Sequence, residues 1–271
     1  MDIIINKKRI TDLKNWFTIY VNQFKYNDVE QQRNIDLKIN HTKRVCEEIV
    51  NLGKLLKLNS NECGLAEIIA LLHDIGRFEQ YARYKTFVDR KSENHAELGV
   101  YILKESGVLN ECDESIKSLI LRTILYHNRA ALPDNETETC LFFTKLLRDA
   151  DKIDIWKVVT DYYYQKNGKR NGAIELDLPD TPGFSAEVYQ DLMIEKIVDI
   201  EHVKNLNDFK LLQLGWIYDI NFKPTFECIK SRYYLELIAN VLPRTDEMQR
   251  MIDVVHDYLQ RAMSNVRSET E

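Results

Sequence analysis

Glycine and proline are scarce in this chain, nine and five among 271 residues. That is too few for the many tight turns of a β-sandwich or barrel. The five cysteines (Cys46, Cys63, Cys112, Cys140, Cys228) are odd in number and never form Cys-x-x-Cys. They read as buried or free thiols in a reducing cytoplasm, not as a disulfide framework or a zinc site. No apolar run approaches the roughly 20 residues of a membrane span, and Met1 to Lys8 is too short and wrongly flanked for a signal peptide. A surplus of positive charge is missing too. The net charge of −6 argues against coating of extended nucleic acid, while leaving room for a local basic pocket. With 44% hydrophobic and 30% charged residues, the expectation is a globular cytoplasmic protein with no membrane partner, one large domain or two modest ones.

What the chain has instead is helical periodicity. Ile10–Tyr26 and Val29–Leu58 carry apolar residues at helical spacing, with Val45, Ile49 and Leu52 in one stripe and His41 one turn before Val45. Asn59-Ser60-Asn61 supplies a turn and an N-cap for a helix ending in His73-Asp74. Glu79–Lys91 reads as an irregular loop, Ser92 as the cap of a helix to about Glu105 with His95 in its first turn, and Glu114–His127 as a further helix. A long helix follows from about Glu136 to Tyr164. Asn167–Gly183 holds Gly168, Gly172, Pro179, Pro182 and Gly183 and is the candidate linker. Three or four amphipathic helices come next, within Ser185–Ile200, Leu206–Ile220, Thr225–Val241 and Asp246–Val266, before a frayed tail at Ser264–Glu271. The expected fold is all-α, with a helical domain over 1–166, a linker or long loop at 167–183 and a C-terminal helical extension over 184–271 packed on the first domain. Trp216, Tyr218, Tyr233, Tyr234 and Leu235 suit such a packed core; a cover over the active site and a homodimer surface are the other uses for them.

The chemistry centres on Leu71-Leu72-His73-Asp74-Ile75-Gly76-Arg77. The preceding stretch, Leu65–Leu72, holds one charge, Glu67, and a helix so apolar is buried nearly all round. An imidazole and a carboxylate at its end are poorly solvated and call for a partner or a metal. His41, His95 and His127 also fall on apolar helical faces or at helix ends, and Asp151 is in lane with Leu147, Ile155 and Val158. A single buried histidine is more often a satisfied core residue than a ligand. Four on successive helices, with two carboxylates, are hard to explain by packing. Imidazole together with carboxylate suits iron, manganese, zinc or cobalt rather than calcium or magnesium alone.

The order His41, His73-Asp74, His95, His127, Asp151 is embedded in Leu-Leu-His-Asp-Ile-Gly-Arg and Arg-Asp-Ala-Asp-Lys-Ile-Asp. It resembles the HD-domain superfamily of metal-dependent phosphohydrolases, over about Ile35–Val158. The resemblance implies a helical bundle with two divalent transition metals (iron, manganese, cobalt or zinc). His41, His73, Asp74 and Asp151 would hold the first, and Asp74 would bridge to a second held by His95 and His127. Asp149, in a lane with Phe142 and Ile153, is a rival for Asp151, and Asp154 is expected beside the ligands or in a structural role. The implied activity is hydrolysis of a phosphate ester, mono- or diester, of a nucleotide or similar small molecule by metal-activated water, with Asp74 at its centre and Arg77 and Lys91 binding phosphate. Arg83, Lys85 and Arg129 read as surface charges, and Phe78, Tyr81 and Phe87 as packing with base stacking as the alternative. Two other readings compete: a diiron oxygenase of the same superfamily, similar to myo-inositol oxygenase, and a degenerate binding module without activity.

Overall fold

The computed structural model describes residues 3–165 and 170–265. Among them the fold is all-α: α1 Lys7–Val21, α2 Val29–Leu55, α3 Ser60–Leu72, α4 Ile75–Tyr84, α5 His95–Glu105, α6 Glu114–Tyr126, α7 Glu138–Tyr163, α8 Gly172–Glu175, α9 Ala186–Met193, α10 Leu206–Gly215, α11 Lys223–Ser231, α12 Tyr234–Ala239 and α13 Asp246–Asn265. Short 3-10 turns lie at Asp89–Lys91, Ile200–His202 and Trp216–Asp219. Contacts divide the chain into two compact units, one ending at Asp154 and the other beginning at Ile155, so the division falls inside α7. Of the stretch 167–183, residues 167–169 lie outside the described residues, and Gly172–Glu175 forms the single helical turn α8 with Asn171 and Glu175 buried.

In the first unit α3 is the central element. Asn59 Oδ1 accepts from the backbone N–H groups of Asn61 and Glu62, and the Glu62 carboxylate accepts from Asn59 N, a reciprocal cap that sets where the helix begins. Leu65, Ala66, Ile68, Ile69, Ala70 and Leu72 are all completely buried. Helix α2 packs along α3, α1 and α6 also lie against it, and α4 meets both α2 and α5. Because α3 is surrounded, the residues that end it, His73 and Asp74, arrive in the interior.

Glu79–Lys91 is not an irregular loop throughout. Helix α4 continues to Tyr84, burying Ile75, Phe78 and Tyr81 at helical spacing. The charges that suggested a loop lie on its outer face, where Arg83 Nε pairs with Glu79 at 2.8 Å. The helix stops at Lys85, which takes a left-handed conformation (φ 54°) and donates its N–H to Tyr81 O. The cap of α5 is Asn94, whose Oδ1 accepts from Ala96 N and Glu97 N; the Ser92 hydroxyl instead donates to Val88 O.

Helices α4 and α5 approach unusually closely through Gly76 and Gly99. A Cβ at Gly76 would collide with the carbonyl oxygen of His95 and stand 2.7 Å from Gly99 N, both rigid backbone atoms. One at Gly99 would meet Ile75 Cγ2 at 3.3 Å. This contact carries Asp74 and His95 toward each other.

In the second unit α10 packs with α9, α12 and α13, and α11 with α12 and α13. Trp156 is fully buried, donates Nε1–H to Gln213 O at 2.9 Å and lies near the Tyr234 ring. Tyr234 and Leu235 belong to this core, whereas Tyr233 is 64% exposed. The helices here are shorter than periodicity suggested. The first stops at Met193, the next tightens to a 3-10 turn after Gly215, and Thr225–Val241 is broken at Tyr233, where φ is 56°. The expected end of the last helix, Val266, and the tail beyond it lie outside the described residues.

The Gly76–His95 contact yields a direct expectation. Gly76→Ala should destabilise the protein by about 3 kcal/mol, because neither backbone partner can move aside as a side chain would. Chemical unfolding monitored by circular dichroism reads this, and a stability equal to wild type would show that α4 and α5 separate freely.

Candidate metal centre

Each of the four histidines reaches the interior by a different local device. His73 and His127 are the residues that follow the last turns of α3 and α6. Their Nδ1–H groups donate to carbonyls three residues earlier, Ala70 O at 2.7 Å and Ile124 O at 2.6 Å. Carbonyls of a last helical turn lack the usual partner four residues on, so they are available to orient a ring; Ile124 O also accepts from His127 N at 3.4 Å. His95 opens α5 and places Nδ1 2.8 Å from Asp89 Oδ2. His41, in the middle of α2, places Nδ1 2.6 Å from Asp154 Oδ2. In all four rings Nδ1 faces an acceptor, so the neutral imidazole carries its proton there and presents a bare Nε2.

Those Nε2 atoms converge. His41, His73 and Asp151 offer ligand atoms that all lie within 4.8 Å of one another, as do Asp74, His95 and His127. Asp74 joins the two groups through its two oxygens. Oδ2 is 3.6 Å from His41 Nε2 and 3.7 Å from His73 Nε2, while Oδ1 is 3.4 Å from His95 Nε2. Asp151 Oδ1 is 3.1 Å from His41 Nε2 and 3.8 Å from His73 Nε2. The rival Asp149 is fully buried in α7 and is in neither group.

Two features show that these residues fit divalent cations. His41 Nε2 and His73 Nε2 are buried with no hydrogen-bond partner among the described residues, a costly arrangement unless something fills the gap. His95 Nε2 and His127 Nε2 are 3.1 Å apart. With both protons held on Nδ1, two lone pairs confront each other, and a cation between them relieves that. The donor set of nitrogen and carboxylate oxygen suits transition metals.

Burial, with His95 and His73 adding to it, pushes the His127 pKa down to about 3, and burial likewise lowers His73 and His95. These rings stay neutral and keep their lone pairs. Burial acts the same way on His41, but Asp151 and Asp154 outweigh it and raise the pKa to about 9, so this position attracts positive charge. Burial would raise the Asp74 carboxyl; Lys38, His73, Arg77 and His95 overcome it and hold the group well below the usual carboxylate range.

The cationic candidates are placed differently. Arg77 is largely enclosed, and its Nη1 donates to Gln80 Oε1 (3.0 Å), Phe87 O (2.5 Å) and Asp89 Oδ1 (2.7 Å). Its Nε is 3.5 Å from Asp74 Oδ1. Lys91 is exposed at the end of the Asp89–Lys91 turn. Arg83 pairs with Glu79 and Glu93, Lys85 lies 4.2 Å from the Tyr26 ring centroid, and Arg129 lies 4.8 Å from that of Tyr126. Phe78 is fully buried against Phe17, Tyr20 and Phe24, and Tyr81 stacks on Phe87, so these rings are packing.

Sequence reasoning missed three contributors. Asp89 gathers His95, Arg77, Gln80 and Asn128, and no spacing rule points to it, because its loop is irregular. Arg44 donates to Asp154 from Nε and Nη2. Lys38 donates to Asp74 Oδ2 at 2.8 Å. Both are three residues from His41 on α2, so their shared lane was a usable signal.

The family comparison covers the same residues. The HD domain family model matches residues 39–156. Over 80 residues the chain is 40% identical to the CRISPR system single-strand-specific deoxyribonuclease Cas10/Csm1 (subtype III-A) of Methanocaldococcus jannaschii. That stretch is 28% of this chain and 10% of the relative, so the similarity spans about a tenth of the relative's length. No solved structure matches the chain. With its six histidine and aspartate side chains gathered inside the matched region, the chain carries an HD domain over residues 39–156.

Proposed function

We propose that this protein is a phosphohydrolase that cleaves a phosphate ester of a nucleotide or similar small molecule with two divalent transition metals. One observation carries the reading: four imidazoles, each locked at Nδ1, aim Nε2 at the two oxygens of Asp74 and at Asp151. His41, His73, Asp74 and Asp151 would hold one ion, and Asp74, His95 and His127 the other. When bound, such ions lower the pKa of water toward neutrality and offset charge developing on phosphate oxygens.

The chain's own residues then have distinct tasks. Asp74 ties the two halves of the centre together. Asp154, held by Arg44, fixes His41, and Asp89, held by Arg77, Gln80 and Asn128, fixes His95. Arg77 therefore acts first as a brace, with Nε turned to Asp74. Lys91 adds positive field from the exposed turn.

A second reading concerns the ester. The 80-residue similarity is to a protein named as a single-strand-specific deoxyribonuclease, which favours a phosphodiester over a monoester. The test is a panel of nucleoside phosphates, sugar phosphates, a chromogenic diester and short single-stranded DNA, run with protein loaded separately with manganese, iron, cobalt and zinc. Release of phosphate supports the monoester reading and cleavage of the diesters the second; silence across the panel with metal bound overturns both.

Asp74→Ala should lower metal-dependent hydrolysis by about 1,000-fold, since charge stabilisation at the reacting group is lost; an unchanged rate would move the chemistry elsewhere. Saturating metal should raise the melting temperature by about 5–10 °C, and a chelator should reverse it; calorimetric scans with and without chelator decide this. Asp89→Asn should weaken one of two metal-binding steps by about 10–100-fold and spare the other, and equal weakening of both in a metal titration would contradict the separate bracing of His95.

A further inference from the structure

We propose that Lys38 is the side chain that grips a phosphoryl oxygen of the substrate, its ammonium passing from Asp74 to the phosphate once divalent metals engage that carboxylate. The proposal rests on the phosphohydrolase reading above and assigns the contact within it.

Lys38 lies on α2 one turn before His41 and reaches the same centre. Its Nζ donates to Asp74 Oδ2 at 2.8 Å, and among the described residues this is its single hydrogen-bond partner. The side chain is 18% exposed, with Nζ 5.5 Å from the centroid of the Phe87 ring. An apolar wall thus confines the ammonium next to the carboxylate instead of letting it float in solvent. Asp74 Oδ2 is also the oxygen that faces His41 and His73. Lys38 therefore holds the oxygen that a metal in the His41, His73 and Asp151 group would claim.

An ammonium and a divalent cation cannot share one carboxylate oxygen without repulsion. With metal bound, Lys38 keeps its position beside Phe87 and loses its anionic partner. A phosphoryl oxygen drawn to the same centre restores one. Lys38 suits this exchange because its three N–H groups rotate on a flexible stem and accept no fixed geometry. Arg77, the cation that sequence alone favoured for phosphate, is differently engaged: Nη1 serves Gln80, Phe87 and Asp89 together. Releasing it would loosen Asp89 and with it His95, whereas moving Lys38 frees only Asp74 from a hydrogen bond.

The test is a calorimetric titration of the manganese-loaded full chain with inorganic phosphate, comparing wild type, Lys38→Met and Lys38→Arg, with metal content measured by mass spectrometry. Wild type should bind phosphate. Lys38→Met should bind it about 10–100-fold more weakly, the loss expected for one hydrogen bond to a charged group, with two metals still present. Lys38→Arg should recover part of the affinity. If Lys38→Met does not fold, Lys38→Gln takes its place, keeping a polar end without charge. Undiminished phosphate binding in the uncharged variant overturns the proposal and leaves the phosphohydrolase reading standing. Loss of metal from that variant overturns it too, since Lys38 would then be part of the support for Asp74. Metal-loaded wild type that binds no phosphate defeats the phosphohydrolase reading itself.

Discussion

A carboxylate buried at the end of an apolar helix is the constraint on which the first unit depends. Asp74 cannot be charged in that position without compensation, and the surrounding structure supplies it from every side. Lys38 comes from α2 and Arg77 from α4, and the Nε2 atoms of His41, His73 and His95 stand around the two Asp74 oxygens as donors that a cation would complete. Each compensating group then needs its own partner. Arg77 requires Asp89 and His41 requires Asp154, which in turn takes Arg44. The polar interior is a sequence of such debts around one oxygen pair, and it explains why Gln80, which pairs with both Arg77 and Asp89, is fully buried.

The two halves of the centre are supported differently. On one side, His41 is backed by Asp154 on α7, so the support joins two regular helices. On the other, His95 is backed by Asp89 in the segment between α4 and α5, and that segment is held by side chains of α4 through Arg77 and Gln80. His73 and His127 use only backbone carbonyls of their own helices. A helix end, a loop carboxylate and a helix carboxylate thus reach the same result, a ring with Nδ1 engaged and Nε2 turned inward.

Much of this was legible in the sequence. The ligand candidates could be named because each sits where periodicity makes a polar residue costly, and the paired motifs around His73-Asp74 and Asp151 carried the family. Helix α4 was hidden because Glu79 and Arg83, one turn apart, cover its solvent face, and only Ile75, Phe78 and Tyr81 among its buried positions carry large apolar side chains. The role of Arg77 could not be read, since its three acceptors at Gln80, Phe87 and Asp89 meet only in three dimensions. Ser92 and Asn94 are both good caps by type; tertiary demand on the Ser92 hydroxyl from Val88 and Gln80 decided between them.

The crossing at Gly76 and Gly99 bears on how the domain tolerates change. Side-chain contacts are elastic: rotamers shift, and a methylene gained here is absorbed there. Backbone against backbone has no such play. The span from Asp74 to His95 is set by the thickness of two main chains, a gauge that does not depend on what fills the rest of the core. Residues such as Ile69 or Leu72 could therefore drift among similar volumes over many generations, while the distance from Asp74 to His95 stayed constant.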